Sequence, residues 1–325
     1  MKILTGIQPT NILHIGNLFG ALIPATSLQE KNNLFMMVAD YHAITIERTP
    51  EQMEEAICFV AAAYLAAGID PKKTILFQQS QVPEHTELGW IMQTITSLGE
   101  AERMTQFKDK SDGKKNVSVG LFAYPMLQAA DILLYDVQGV PVGADQKQHV
   151  ELTRDLAERF NKRFGETFVL PQPLIPKTGA RIKSLTEPEK KMSKSAPSAK
   201  SYISLLDDKE LIAKKIRSAV TDSDPHVTYD EARHGLHNLL SILSIITKES
   251  PEALATQYES KGAKALKDDL TEALILFLEP LQAELNGYLQ NKDELRKILR
   301  IGSEAAHQIA HDKLKEVKQK MGLAL

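Results

Sequence analysis

The chain opens on an apolar, β-branched run, KILTGI (2–7), and two runs of the same kind follow within NNLFMMVADYHAI (32–44) and KTILFQQS (73–80). Apolar runs this short, bounded by polar and turn-forming residues, predict buried strands. Between them the hydrophobic period lengthens. TPEQMEEAICFVAAAYLAAGI (49–69) sets Thr49 as an N-cap, Pro50 at the first helical position and Gly68 near the end, the start and stop signals of a helix. GVPVGADQKQHVELTRDLAERF (139–160) gives a short apolar strand, a glycine turn and an amphipathic helix. Strands alternating with helices predict an α/β fold, a parallel sheet with crossover helices. After about residue 200 the β-rich runs stop. DDKELIAKKIRSAV, HNLLSILSIIT, TEALILFLEPLQAELNGYL and the last twenty-five residues all read as helices. The change of character falls within 177–200, a stretch rich in Lys, Ser and Pro.

One helical segment breaks the pattern. YPMLQAADILLYD (124–136) is apolar almost all round, and Pro125 predicts that the helix opens there, where a missing N–H is no loss. Yet Tyr124, Gln128, Asp131 and Tyr135 recur at steps of four, three and four, which aligns two phenols, a carboxamide and a carboxylate on one stripe. On pattern alone, Asp131 is either a buried carboxylate satisfied by backbone or tyrosine, or part of a pocket wall.

Composition narrows the class. A chain of 325 residues suggests about two domains, and 43% hydrophobic with 25% charged residues is ordinary for a globular protein. There is no apolar run of eighteen residues and no signal-peptide pattern, so no membrane association is expected. A single cysteine, Cys58, excludes an internal disulfide, and a cytoplasmic location is the default expectation. The histidines, among them His14, His42, His85 and His149, show no ligand spacing, so no protein metal site is expected. A net charge of −3 excludes a generic polyanion binder. Positive charge is local: 177–200 carries seven Lys/Arg against two Glu, and 103–115 carries five against two Asp.

Two short motifs carry candidate chemistry. In GIQPTNILHIGNLFGAL (6–22) a strand ends and a helix begins, with His14, Gly16 and Asn17 at the junction. A helix N-terminus at the end of a parallel strand offers free N–H groups to an anion, and Gly16 would let a nucleoside lie against the backbone. HIGN alone reads equally well as an ordinary helix start. In KKMSKS (190–195), Lys191 and Lys194 flank small hydroxyl residues on a loop. Ammonium groups on such a loop can close over phosphates and stabilise charge during nucleotidyl transfer, although composition alone fits a Lys/Ser linker.

The two motifs occurring together, in this order and with an α/β pattern between them, resemble the class I aminoacyl-tRNA synthetases. GIQPTNILHIGN, ADYHAIT, ERMTQFKDKS, AADILLYD, VPVGADQKQHVELTRDLAERFN, KMSKS and AVTDSD resemble the bacterial tryptophanyl branch in particular. The likeness runs over essentially the whole chain and is densest over 1–225. The related tyrosyl enzymes share the architecture but do not match DQKQHVELTRD.

The resemblance implies a Rossmann-like parallel-sheet catalytic domain over 1–195 and an all-helical, anticodon-binding domain over 196–325. It implies activation of L-tryptophan with ATP and transfer to tRNA(Trp), with Mg²⁺ held through the ATP phosphates, in a homodimer. Gln8, Pro9, Thr10, Gly16 and Asn17 would hold ATP. Gly143, Ala144 and Asp145 would face its adenosine, and Ile182 would support the adenine. Lys191, Met192, Ser193, Lys194 and Ser195 would close on the phosphates, with Lys110 reaching them from 103–115. Gln8, Lys110, Lys191, Ser193 and Lys194 form the implied catalytic set. Asp131 would accept the indole N–H. Tyr124 and Gln146 would hold the ammonium and carboxylate of tryptophan, and His42, Val140 and Val142 would line its pocket. Arg296 and Arg300 are candidates for anticodon contact.

Three positions depart from the family's pattern. Gln128 replaces a methionine against the indole face, Leu4 replaces a phenylalanine, and Ala144 replaces the glutamate of a GEDQ motif. The first two remove a polarisable and an aromatic contact. Three other readings stay open: a relative that activates tyrosine or a modified tryptophan, a tRNA-binding or regulatory protein that has lost catalysis, and another nucleotidylyltransferase of the same superfold. Gln8, Gly16, Asn17, Asp145, Lys191, Ser193 and Lys194 are all present, which counts against lost catalysis. Another nucleotidylyltransferase would not need the long helical C-terminal part.

Overall fold

The computed structural model describes residues 1–104, 118–175, 182–224 and 226–324. Five strands form one parallel sheet: β1 (Lys2–Ile7), β2 (Asn33–Val38), β3 (Thr74–Gln78), β4 (Gly139–Pro141) and β5 (Gln172–Leu174), in the order β3-β2-β1-β4-β5. The four expected strands form where the apolar runs predicted them. β5, only three residues with Pro173 at its centre, has no sequence pattern by which to recognise it. The strand order reverses between β1 and β4, whose paired residues are Ile3 and Gly139. In such sheets the chain departs in opposite directions from the two neighbouring strand ends and leaves a crevice there for a ligand.

Alternation along the strands sorts two cores. Ile3, Leu34, Met36, Val38 and Leu76 face one way, into a cluster shared with helices from both halves of the chain. Leu4, Phe35, Met37 and Phe77 face the other way. The first cluster takes in the helical run after β1 (α1 Ile15–Asn17, a π turn Leu18–Leu22, α2 Ile23–Gln29) and α4 (Pro50–Ala66), which follows the short helix α3 (Asp40–Ala43). Thr49 caps α4 and Pro50 opens it, and Gly68 beyond its end has φ +102°. The second cluster takes in α5 (Glu84–Ile95), α6 (Leu98–Glu102), α7 (Val119–Leu133) and α8 (Lys147–Phe164).

The helix expected to open at Pro125 begins six residues earlier, at Val119, with the Ser118 side chain accepting from Leu121 N at its cap. Pro125 therefore lies inside α7. A proline there forfeits one backbone bond, a loss that a buried helix packed on α5 and α8 can absorb. Tyr135 falls just past the end of α7, before Asp136 at φ 52°.

The remaining helices are α9 (Lys209–Arg217), α10 (His234–Thr247), α11 (Pro251–Tyr258), α12 (Gly262–Gln290) and α13 (Lys292–Lys320), and after Leu174 no strand forms among the described residues. They share a core with the sheet. Leu266, Leu270, Leu274 and Leu278 of α12 recur every fourth residue and pack into the first cluster with α4 and α10. α13 returns to cover the sheet edge at β3, where the Ser303 hydroxyl accepts from Gln78 N at 3.2 Å. Its Leu295 and Leu299 join the first cluster, and Ala306, Ala310, Leu314 and Val317 join the second. A covered edge strand is no longer a template for pairing with another chain.

Gly302 makes that crossing possible, because a methyl there would overlap the Leu76 carbonyl oxygen. Gly302→Ala should destabilise the protein by about 2 kcal/mol or more, as overpacking against backbone does. Gly287→Ala on α12, where an added methyl meets nothing, should stabilise it by up to about 1 kcal/mol. Denaturant midpoints of the two variants check both directions.

Candidate active site

The crevice at the strand-order reversal gathers the first group of predicted residues. β1 ends at Ile7 and delivers Gln8, exposed, then Pro9 and Thr10, both buried. Arg48 Nη1 donates to the Pro9 carbonyl at 2.7 Å and holds this loop. His14 caps the helical run, and its N–H is accepted by Asn17 Oδ1 at 3.0 Å. A side chain on Gly16 would collide with the His14 ring, so glycine allows the two to nest.

The lysine loop folds over this group. Ile182 and Met192 are buried, and Met192 N donates to the Ile182 carbonyl at 3.0 Å. With the bridge between Lys183 and Lys191, this makes a small antiparallel clip. Met192 packs near Gly16, and Lys194 Nζ donates to Thr10 Oγ1. Ser193 Oγ accepts from Ser195 N at 3.2 Å. Burial, with Arg48 nearby, lowers the Lys194 pKa from its ordinary value. Burial first, then Lys191 and Lys194, lower that of His14 to about 4. A neutral imidazole therefore sits close to two lysines, an environment suited to a polyanion.

From the neighbouring strand, β4 leads through Val142 into Gly143 and a turn, Ala144–Gln146, that carries Asp145. Gln146 Nε2 donates to Asp145 Oδ2 at 3.0 Å, and a methyl on Gly143 would press on Asp145 Oδ1. Lys110 lies outside the described residues.

The second group surrounds Asp131, which is 1% exposed on α7. Its Oδ2 accepts from His42 Nε2 at 2.7 Å. Its Oδ1 accepts from Gln79 Nε2 at 2.7 Å and from His85 Nδ1 at 2.6 Å. Because a carboxylate only accepts, His85 carries a proton on Nδ1, and its Nε2 lies 2.7 Å from the Tyr135 hydroxyl. Burial opposes the charge on Asp131, but His42 and His85 outweigh it and hold the carboxyl well below its usual range. Burial, then Asp131 and Glu84, push the Tyr135 phenol well above its usual range, so it remains a donor.

Tyr124 is buried with its hydroxyl 2.8 Å from His149 Nε2 and its ring edge-on to His42. Leu4 and Val140 sit in the same core cluster, with Val142 packed against it. Gln128 is half-buried on α7, a turn from both Tyr124 and Asp131, and nothing in the structure explains its choice over an apolar residue.

Gln79 and His85 belong to this centre although sequence reasoning passed over them. Their signal is position. Asp40 and His42 follow the end of β2, and Gln78 to Ser80 lie at the end of β3, where a parallel sheet presents its ligand side. Asp40 ties the two ends together, with Oδ1 accepting from Ser80 N at 2.9 Å and Oδ2 from Gln78 Nε2 at 2.7 Å.

The chain is similar to known proteins over nearly its whole length. The family described as tRNA synthetases class I (W and Y) matches residues 1–279. The chain is 49% identical over 323 residues to a tryptophan–tRNA ligase of Bacillus anthracis, covering 99% of this chain and 98% of that one. It is 48% identical over 325 residues to that of Caldanaerobacter subterraneus, covering 100% and 99%. Among solved structures, tryptophanyl-tRNA synthetase from Mycoplasma pneumoniae superposes with a TM-score of 0.91 at 38% identity, over 99% of this chain and 98% of that one. The Campylobacter jejuni enzyme, complexed with ADP and tryptophan, gives 0.87 at 36%, over 99% and 100%.

The neutral His14 ring has a consequence for pH. Its folded-state pKa lies below the ordinary 6.5, so the unfolded chain takes up the proton first. Its contribution to stability is fully present above about pH 6.5 and is lost as pH falls toward about 4. The His14 ring resonances should titrate with a midpoint near 4 by NMR, and His14→Asn should flatten the stability profile across that window.

Proposed function

The chain belongs to the class I tRNA synthetases of the tryptophan and tyrosine type, and from that premise we propose how its crevice divides the work of the reaction. The activity is that of a tryptophan–tRNA ligase. L-Tryptophan and ATP give tryptophanyl-adenylate and pyrophosphate. The tryptophanyl group then passes to the 3′-terminal adenosine of tRNA(Trp), releasing AMP.

In the first step a tryptophan carboxylate oxygen bonds to the α-phosphorus while the bond to the bridging oxygen of pyrophosphate breaks. The carboxylate is already ionised at neutral pH, so no strong base is needed. The obstacle is bringing one anion against another and stabilising charge in the transition state, a matter of position and electrostatics. We assign the β1 loop (Gln8, Pro9, Thr10), Gly16 and Asn17 to ATP, and Gly143, Ala144 and Asp145 to its adenosine, with Asp145 on the ribose. Ile182 backs the adenine. Lys191, Met192, Ser193, Lys194, Ser195 and Lys110 take the phosphate side. The observation that carries this reading is Lys194 reaching across to Thr10, which brings an ammonium group onto the β1 loop assigned to ATP. Mg²⁺ would be carried on the ATP phosphates with mostly water ligands and would neutralise part of their charge.

For tryptophan, Asp131 is assigned to the indole N–H. A carboxylate has about four lone-pair sites, and three are engaged by His42, Gln79 and His85, which leaves one for the indole. Tyr124 and Gln146 are assigned to the amino-acid head group, and His42, Leu4, Gln128, Val140 and Val142 to the pocket wall.

The helices of 196–325 are assigned to the anticodon. Arg296 pairs with Glu54 and Asp293, and Arg300 with Glu304, but exposed pairs of this kind are weak enough to exchange for phosphate. A homodimer is the proposed assembly, supported by Trp90, Leu98 and Val119, exposed on α5, α6 and α7. No helix among the described residues is long and apolar enough to cross a membrane, and a cytoplasmic location is the proposed one.

Pyrophosphate exchange measured with each of the twenty amino acids tests the reading. Exchange should occur with tryptophan alone, and a preference for tyrosine would overturn the assignment of Asp131. In the same assay Lys194→Ala should lose on the order of 10²–10³ in rate, as when a transition-state donor is removed. An unchanged rate would remove Lys194 from the mechanism.

A further inference from the structure

Away from the crevice, α5 and α13 bring three ligating side chains together. Glu84, the first residue of α5, is 5% exposed. Two imidazoles one turn apart on α13 face its carboxylate: His307 Nδ1 lies 3.0 Å from Oε2, and His311 Nδ1 lies 3.5 Å from Oε1. One donor atom from each residue falls within 4.8 Å of the others. The histidines were expected to show no ligand spacing. His307 and His311 do show it, on one helix face, and their carboxylate partner stands 223 residues earlier in the chain.

We propose that Glu84, His307 and His311 form a binding site for a divalent transition-metal ion, zinc by its donor set, that ties α13 to the start of α5. A tetrahedral ion with ligand bonds of about 2.0–2.2 Å sets neighbouring donors roughly 3.4 Å apart. His307 Nδ1 lies 3.0 Å from one carboxylate oxygen and His311 Nδ1 3.5 Å from the other, and one donor atom of each residue falls within 4.8 Å of the others, so side-chain rotation can bring three donors to that spacing. Two imidazoles and one carboxylate make a borderline-soft set that suits zinc better than magnesium or calcium, and a fourth position is left for water. Both imidazoles are about half exposed, so an ion reaches them from solvent, while the buried carboxylate supplies a fixed anchor. Glu84 is followed directly by His85, so the ion would also brace the peptide that carries one of the ligands of Asp131.

The test uses the full chain at neutral pH, with zinc titrated against a chromogenic chelator. The wild type is compared with a His307→Gln, His311→Gln double variant, which alters only exposed side chains. The wild type should bind one equivalent, and the double variant should bind at least about tenfold more weakly. Zinc should raise the Tm of the wild type and leave that of the variant unmoved. Equal affinity and stoichiometry in the two proteins, or no zinc bound by the wild type, would overturn the proposal.

Discussion

A carboxylate sealed from water must be paired or it does not stay charged. Asp131 meets that requirement with donors from three places: His42 after β2, Gln79 after β3 and His85 on α5. Meeting it binds the ends of two strands and two helices into one unit on the ligand side of the sheet. Gln79 shows the economy of the arrangement, since its carbonyl accepts from Tyr41 N at 3.0 Å while its amide donates to Asp131. Asp40 repeats the device one layer out, across the same two strand ends. Removing one partner from such a network costs more than a surface contact, because another group is left buried and unpaired.

The sheet supplies the other half of the design. Its order reverses between β1 and β4, so the loops carrying Thr10 and Asp145 leave from neighbouring strands and border one crevice. The lysine loop is clipped to 182–184 and reaches that crevice through Met192 and Lys194. The C-terminal helix, far away in sequence, then covers the exposed edge at β3 through the gap left by Gly302. The helical half thus shares its core with the sheet, and the first hydrophobic cluster contains residues of both.

Much of this was legible in the chain. Four strands follow from apolar runs, α4 from its cap and proline, and the late helices from their periodicity. HIGN and KMSKS gain meaning together, and the structure brings Gly16 and Met192 within packing distance. What sequence pattern missed shares one cause, contact between distant segments. Gln79 and His85 look like ordinary polar residues until β3 is placed beside β2. Glu84 looks like a surface acid until α13 returns to it. Pro125 misled because a proline can be tolerated inside a helix when tertiary packing compensates, which local rules do not register. Leu4 and Val140 lie in one core cluster, so the leucine at position 4 fills space without an aromatic ring. Gln128 remains a residue whose choice the structure does not explain.

In the proposed site, Asp131 keeps one acceptor position for the indole N–H. The most direct measurement compares kcat/KM in pyrophosphate exchange for tryptophan and for its isostere with sulfur in place of the ring N–H, in the wild type and in Asp131→Ala. The wild type should discriminate strongly, toward the roughly 10⁴–10⁵ reached by sites built on a buried hydrogen bond, and the ratio should collapse toward one in the variant. Discrimination of the same size in both proteins would contradict it.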